Sequence, residues 1–319
     1  MYKMAFRGLM MSFALSALVT PGLHAQASTK DRLLEPFRYG GNDVFNILAL
    51  IPKMESAITM GKGEFRTKFS VELAENSATE QVANSQINIT GGAIEFNTFI
   101  AYGLADFLDL QVDIPLTSFG GSLLTVVDGE SLFAIQQGIN SITADNELGD
   151  PVISTKFQLW GGEQAGSGLA LRLQMKLPLA DERDLHSSGG LDIGFGILST
   201  TELDWGILHF NLDYTRIGSI SAFRPEARIE LEDTISVGVG YMFEVIEDDL
   251  SIGAQLSGYL NPYRATEGDL VGMDGIPVNL LLGARWIPGD NLLLELGAGP
   301  GITKDAASFT LFLGFSFQL

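Results

Sequence analysis

The stretch Phe309-Thr310-Leu311-Phe312-Leu313-Gly314-Phe315-Ser316-Phe317-Gln318-Leu319 decides the fold. Successive side chains of an extended strand point to opposite faces. Phe309, Leu311, Leu313, Phe315, Phe317 and Leu319 therefore share one face, and Thr310, Gly314, Ser316 and Gln318 share the other. So apolar a face aggregates in water unless a second layer covers it, and lipid is the alternative cover.

Upstream, the same alternation recurs with charge on the second face. Phe65, Thr67, Phe69, Val71 and Leu73 oppose Glu64, Arg66, Lys68, Ser70 and Glu72. Leu108, Leu110, Val112 and Ile114 oppose Asp109, Gln111 and Asp113, and Leu169, Leu171, Leu173, Met175 and Leu177 oppose Arg172, Gln174 and Lys176. An uncharged face toward lipid and a polar face toward a wet interior is the pattern of a transmembrane barrel wall. Reading on through Ile94–Tyr102, Ile153–Leu159, Leu191–Ile197, Leu208–Tyr214, Ile235–Phe243, Leu250–Gly258, Val278–Trp286, Leu292–Ala298 and the closing strand predicts twelve strands from Glu64 onward. Short connections, such as Gly103–Asp106 and Pro288–Asp290, alternate with long ones, among them Ala74–Gly92 and Leu116–Asp150. That asymmetry belongs to an up-and-down barrel with periplasmic turns and outer loops, and a soluble sandwich has no reason for it. The expected fold is an all-β, antiparallel transmembrane barrel over residues 64–319.

Residues 1–27 carry Lys3 and Arg7, an apolar run Leu9–Val19 and a small-residue site at Ala25-Gln26-Ala27, the three regions of a cleaved secretory signal. A thirteenth strand at Val44–Ile51 would break the parity of an even barrel, so residues 28–63 read as a periplasmic arm or lumen plug. Their apolar Val44, Phe45, Ile47 and Leu48, with Phe119, Leu123 and Phe133 of the longest outer connection, are candidate plug or constriction residues, since so much apolar surface has to dock somewhere. With 39 acidic against 19 basic residues and a net charge of −20, the chain is no candidate for nucleic acid. Outer-membrane lipid and lipopolysaccharide, the barrel assembly machinery and a small solute are the expected partners, in the outer membrane of a Gram-negative bacterium.

Three positions sort to the turn end as an interfacial girdle of Trp, namely Trp160, Trp205 and Trp286, and Tyr102 and Phe243 join them. Trp160 is out of phase with its strand and calls for a bulge. Gly314, Phe317 and Leu319 resemble the C-terminal assembly signal of bacterial outer-membrane barrels, with Phe312 where that signal prefers a polar residue. The motifs Ala101-Tyr102-Gly103-Leu104-Ala105-Asp106, Val112-Asp113-Ile114-Pro115-Leu116, Val127-Asp128-Gly129-Glu130 and Leu148-Gly149-Asp150 resemble those of a proteobacterial outer-membrane family of unknown function. They are more distantly similar to barrels of the phenol-degradation and transporter type. The resemblance implies location and fold, and supplies no functional residue.

The lumen face carries Arg66, Lys68, Glu95, Asp109, Asp113, Lys156, Arg172, Lys176, His209, Asp213, Arg285 and Glu295. Both signs are present, and a narrow barrel pairs them across its width. This favours a plugged or gated channel for small, apolar solutes over an open porin, with a structural barrel lacking any through-path as the alternative. Catalysis is the least favoured reading: the mature chain offers His186 and His209 as bases, without the nucleophile and orienting group that acyl transfer needs. No metal or cofactor motif is present.

Overall fold

In the computed structural model the alternating segments form one closed wall of twelve antiparallel strands. They are β1 (Phe65–Val82), β2 (Ser85–Ala105), β3 (Leu108–Val126), β4 (Val152–Gly162), β5 (Ser167–Lys176) and β6 (Asp192–Leu203). There follow β7 (Gly206–Arg216), β8 (Thr234–Ile246), β9 (Leu250–Tyr259), β10 (Val278–Gly289), β11 (Leu292–Pro300) and β12 (Phe309–Gln318). The structure describes residues 32–40, 49–82, 85–126, 147–162, 166–180, 187, 189–218, 229–260, 263–265, 275–289 and 291–318. The signal segment, His186, Phe133, Leu319 and the run Val44, Phe45, Ile47 and Leu48 lie outside them.

Each strand pairs with its neighbours in sequence, and β12 returns to β1 in register from Arg66↔Gln318 to Glu75↔Phe309. Closure leaves no open edge, the only way a sheet satisfies its backbone in hydrocarbon. The greasy side of β12 faces outward, with Leu313, Phe315 and Phe317 exposed, while Thr310, Ser316 and Gln318 are buried inside. Phe69 of β1 stacks on Phe315 across this seam, ring centroids 5.2 Å apart.

The three Trp residues lie at the turn end. Trp160, Trp205 and Trp286 are 65 %, 84 % and 51 % exposed. The register of β4 against β5 shifts between Gln158 and Trp160, and this bulge turns Trp160 outward despite its odd phase. Tyr102 and Phe243 sit at the same end, next to the turns after β2 and β8.

Two expectations need correction. Residues Ala74–Gly92 are no loop: β1 and β2 stay paired to Val82↔Ser85. Likewise the connection after β3 begins only beyond Val126, so Phe119 and Leu123 belong to a strand paired with β2. The polar composition of 74–92 hid these extensions, because a hairpin standing above the membrane has water on both sides and needs no apolar face.

Candidate functional site

Residues 32–40 and 49–63 lie among the inward-facing side chains of the barrel. Arg32 Nη2 donates to the carbonyl of Asn291 in the β10–β11 turn, and the chain then rises until Tyr39 Oη donates to Thr310 Oγ1 at 3.1 Å. It returns from Leu50, whose N–H donates to Asp192 at 2.9 Å, and reaches the turn end again at Thr59, which donates to the carbonyl of Asp106. Gly63 and Gly103 close the descent through an N–H to carbonyl bond of 2.8 Å, just before β1.

This backbone is irregular, and buried irregular backbone needs partners from elsewhere. The wall supplies them. Arg285 donates to the carbonyls of Arg32 and Pro36 at 2.9 and 2.7 Å, Ser251 to Leu33 at 2.6 Å, Arg172 to Lys53 at 2.7 Å and Lys156 to Ile58 at 2.7 Å. His209 reaches the Leu34 carbonyl through Nε2 at 2.7 Å. A carbonyl only accepts, so Nε2 carries the proton and Nδ1 accepts from Thr200 Oγ1 at 3.0 Å. Both ring nitrogens are thus occupied, and this histidine is a strut for the segment.

On the return, alternation repeats the logic of a strand: Lys53 and Glu55 turn one way and Met54 the other. Lys53 Nζ lies 3.3 Å from Glu72 of β1 and 2.9 Å from Glu95 of β2. Glu55 is the centre of the charged side, within 3.2 Å of Arg38, 3.2 Å of Lys156 and 3.3 Å of Arg172, and it also accepts from Gln111. Burial alone would raise the Glu55 carboxyl, but Lys156, Arg38 and Arg172 outweigh it and hold its pKa well below the usual carboxylate range. Arg38 goes on to Asp113 at 2.8 Å and lies 3.9 Å over the ring of Phe99.

Met54 points at β8, where a Cβ on Gly238 would stand 2.5 Å from its Cγ. A similar socket takes Phe37: a Cβ on Gly283 of β10 would meet its ring at 2.6 Å. Phe37 packs edge-on against Phe312, centroids 6.2 Å apart, within a buried cluster that includes Leu33, Leu34, Tyr39, Met242 and Leu281. This accounts for Phe312, the apolar residue at a polar position of the assembly signal: it faces inward, onto the segment.

Of the twelve lumen residues read from sequence, Arg66 is half-buried and the other eleven are buried. The expected pairing across an empty width is not what their contacts show. Some pair along the wall, as Lys156 with Asp109 at 3.3 Å, Arg172 with Asp213 at 2.7 Å and Arg285 with Glu295 at 2.6 Å. Others meet the segment, whose Glu35, Arg38, Lys53 and Glu55 the sequence reading passed over. Arg66, for example, holds Glu35 through both carboxylate oxygens at 2.6 and 2.7 Å. Signals for them were present in the alternation Lys53-Met54-Glu55 and in the inward glycines of β8 and β10. Around the described part of the segment the cavities are small: one of about 80 Å³ beside Lys53, Asn97 and Gln174, and others of about 20 Å³.

A family model described as "Putative MetA-pathway of phenol degradation" matches residues 66–319. No curated protein matches the chain. Among solved structures, an outer-membrane channel from Pseudomonas putida F1 is similar with a TM-score of 0.58 at 12 % identity, over 82 % of this chain and 98 % of that one. The Pseudomonas putida toluene transporter TodX is a more distant likeness, with a TM-score of 0.44 at 8 % identity over 92 % and 99 % of the two chains.

Proposed function

The chain belongs to this phenol-degradation family, and from that premise we propose that it is a passive outer-membrane channel for small, largely apolar solutes, closed at rest by residues 32–40 and 49–63. The observation that carries the reading is the lumen itself. A wall with this many inward charges is built for water, yet residues 32–40 and 49–63 of the same chain lie against it, and the cavities beside them are of about 20 to 80 Å³. Passage of an organic solute then requires the segment to shift.

The family supports the solute class, since its description is taken from phenol degradation. In this reading Glu35, Arg38, Lys53 and Glu55 latch the segment, and the lumen-facing Arg66, Asp109, Asp113, Lys156, Arg172 and Glu295 form the wall of the opened path. The cleaved leader at residues 1–27, the girdle at Tyr102, Trp160, Trp205, Phe243 and Trp286, and the terminal Gly314 and Phe317 would place the barrel in the outer membrane through the assembly machinery, among lipid and lipopolysaccharide.

Planar-bilayer recording tests the proposal. The intact protein should be silent or nearly so, and a variant lacking residues 32–63 should conduct steadily. Silence of both, in barrels that migrate as folded on heat-modifiable gels, would leave a structural barrel with no through-path.

A further inference from the structure

Resting on the channel reading above, we propose that the uncharged strip of lumen wall on β8–β10 is a solute-binding site, and that it prefers neutral molecules joining an apolar body to one hydrogen-bonding group over plain hydrocarbons. The strip consists of Ser236 and Gly238 on β8, Gln255 and Ser257 on β9, and Asn279 on β10. Gly238 pairs with Ser257, and Ser257 with Asn279, which sets them side by side; Gln255 lies one pair further down, opposite Gly240.

Ser236, Gln255 and Asn279 are 7 %, 2 % and 2 % exposed, yet Ser236 Oγ, Asn279 Oδ1 and both amide atoms of Gln255 have no hydrogen-bond partner. Elsewhere in the lumen Arg172, Lys156, Ser251 and Arg285 of the wall donate to carbonyls of the segment, although Thr117 Oγ1, Thr215 Oγ1 and Gln174 Oε1 are unpartnered as well. Here the segment presents Ile51, Pro52 and Met54 instead, across a cavity of about 20 Å³ that Ser236, Asn279 and Tyr39 also line. A buried polar group without a partner costs about 1 to 3 kcal/mol. Several together describe a surface shaped to receive hydrogen bonds from something else.

Met54 is the movable side of this cavity. It is unbranched and flexible, and it sits in the socket of Gly238 rather than against a side chain of β8. Its displacement opens a slot with polar neutral groups on one side and Pro52 and Ile51 on the other. A ring lies against the apolar side while a hydroxyl bonds to Ser236 or Asn279. A hydrocarbon leaves both unpaired, and a site built for hydrogen bonds discriminates against the analogue that lacks them. An anion finds no countercharge on the strip, and the one carboxylate that lines the cavity, Asp213, is already held by Arg172 at 2.7 Å.

The test uses matched probes, a fluorinated benzyl alcohol and the corresponding fluorinated toluene, whose binding to purified full-length barrel is read by fluorine NMR against empty detergent micelles. The alcohol should bind about tenfold more tightly, the equivalent of roughly one good hydrogen bond. Combining Ser236→Ala with Asn279→Leu should bring the ratio close to one, and Gln255→Leu alone should lower the alcohol's affinity severalfold. Should the double variant fail to assemble, Gln255→Leu decides. Equal binding of the two probes, absence of binding by either, or a ratio that no variant changes overturns the site. An alcohol preference with no transport in proteoliposomes upholds the site and removes the channel reading; transport with no preference does the reverse.

Discussion

Two sectors of the lumen hold one segment by opposite means. On β1–β5 the wall is charged, and it grips Arg38, Lys53 and Glu55 with ion pairs of 2.8 to 3.3 Å. On β8–β10, Arg285 apart, it is small and neutral, and it receives Phe37 and Met54 in places where Gly283 and Gly238 have no side chain. The difference teaches what each chemistry does. Desolvating paired charges returns little net stability, but a pair once buried is costly to break, so the charged sector fixes where the segment sits. Sockets depend on shape alone, and shape yields gradually when a side chain moves.

The contrast breaks most severely at Glu55. Replacing it by Leu leaves Arg38, Lys156 and Arg172 around a missing anion, and removing one partner of a buried network costs about 3 to 5 kcal/mol. Glu55→Leu should therefore convert a silent channel into one that conducts in planar bilayers; continued silence would mean that the charged sector is not what retains the segment. Next comes Phe312→Ala, which empties the edge-on contact with Phe37 and should cost about 3 kcal/mol of docking. The chain has no cysteine, so the maleimide labelling rate of a single cysteine placed at Ala57 reports docking directly, and an unchanged rate would remove Phe312 from the grip. On the neutral side, Gly238→Leu should displace Met54 at about 1 to 3 kcal/mol, the usual range for overpacking. It should raise conductance less than Glu55→Leu, and the reverse order would invert the roles given to the two sectors. The smallest effect is expected from Tyr39→Phe, which removes the bond to Thr310. It is worth about 1 kcal/mol, or roughly a fivefold faster labelling at position 57.

The two sectors were not equally legible in the sequence. The wall could be read because lipid enforces a period of two, and the strands, the closing register of β12 and the bulge at Trp160 all follow from that one constraint. Lumen charges were legible for the same reason, as the other phase of each strand. Their partners were not, because Glu35, Arg38, Lys53 and Glu55 lie on backbone that obeys no period and whose hydrogen bonds are made by distant residues. Apolar content drew attention in that segment, although the ionic residues do most of the bonding on the charged side. The neutral sector was the least visible: Gly238 and Gly283 read as gaps in an alternation, and only the opposing Met54 and Phe37 show them to be sockets.

The segment goes in and comes out at the same end of the barrel, beside Asn291 at Arg32 and beside Gly103 at Gly63. Both described stretches, 32–40 and 49–63, therefore run from the turn end into the barrel. They can be drawn back toward that end without parting the seam between β12 and β1. Whatever force acts on the chain before Arg32 would then pull in the direction that empties the barrel, while the covalent tether at Gly63 keeps the withdrawn loop at the mouth it must re-enter.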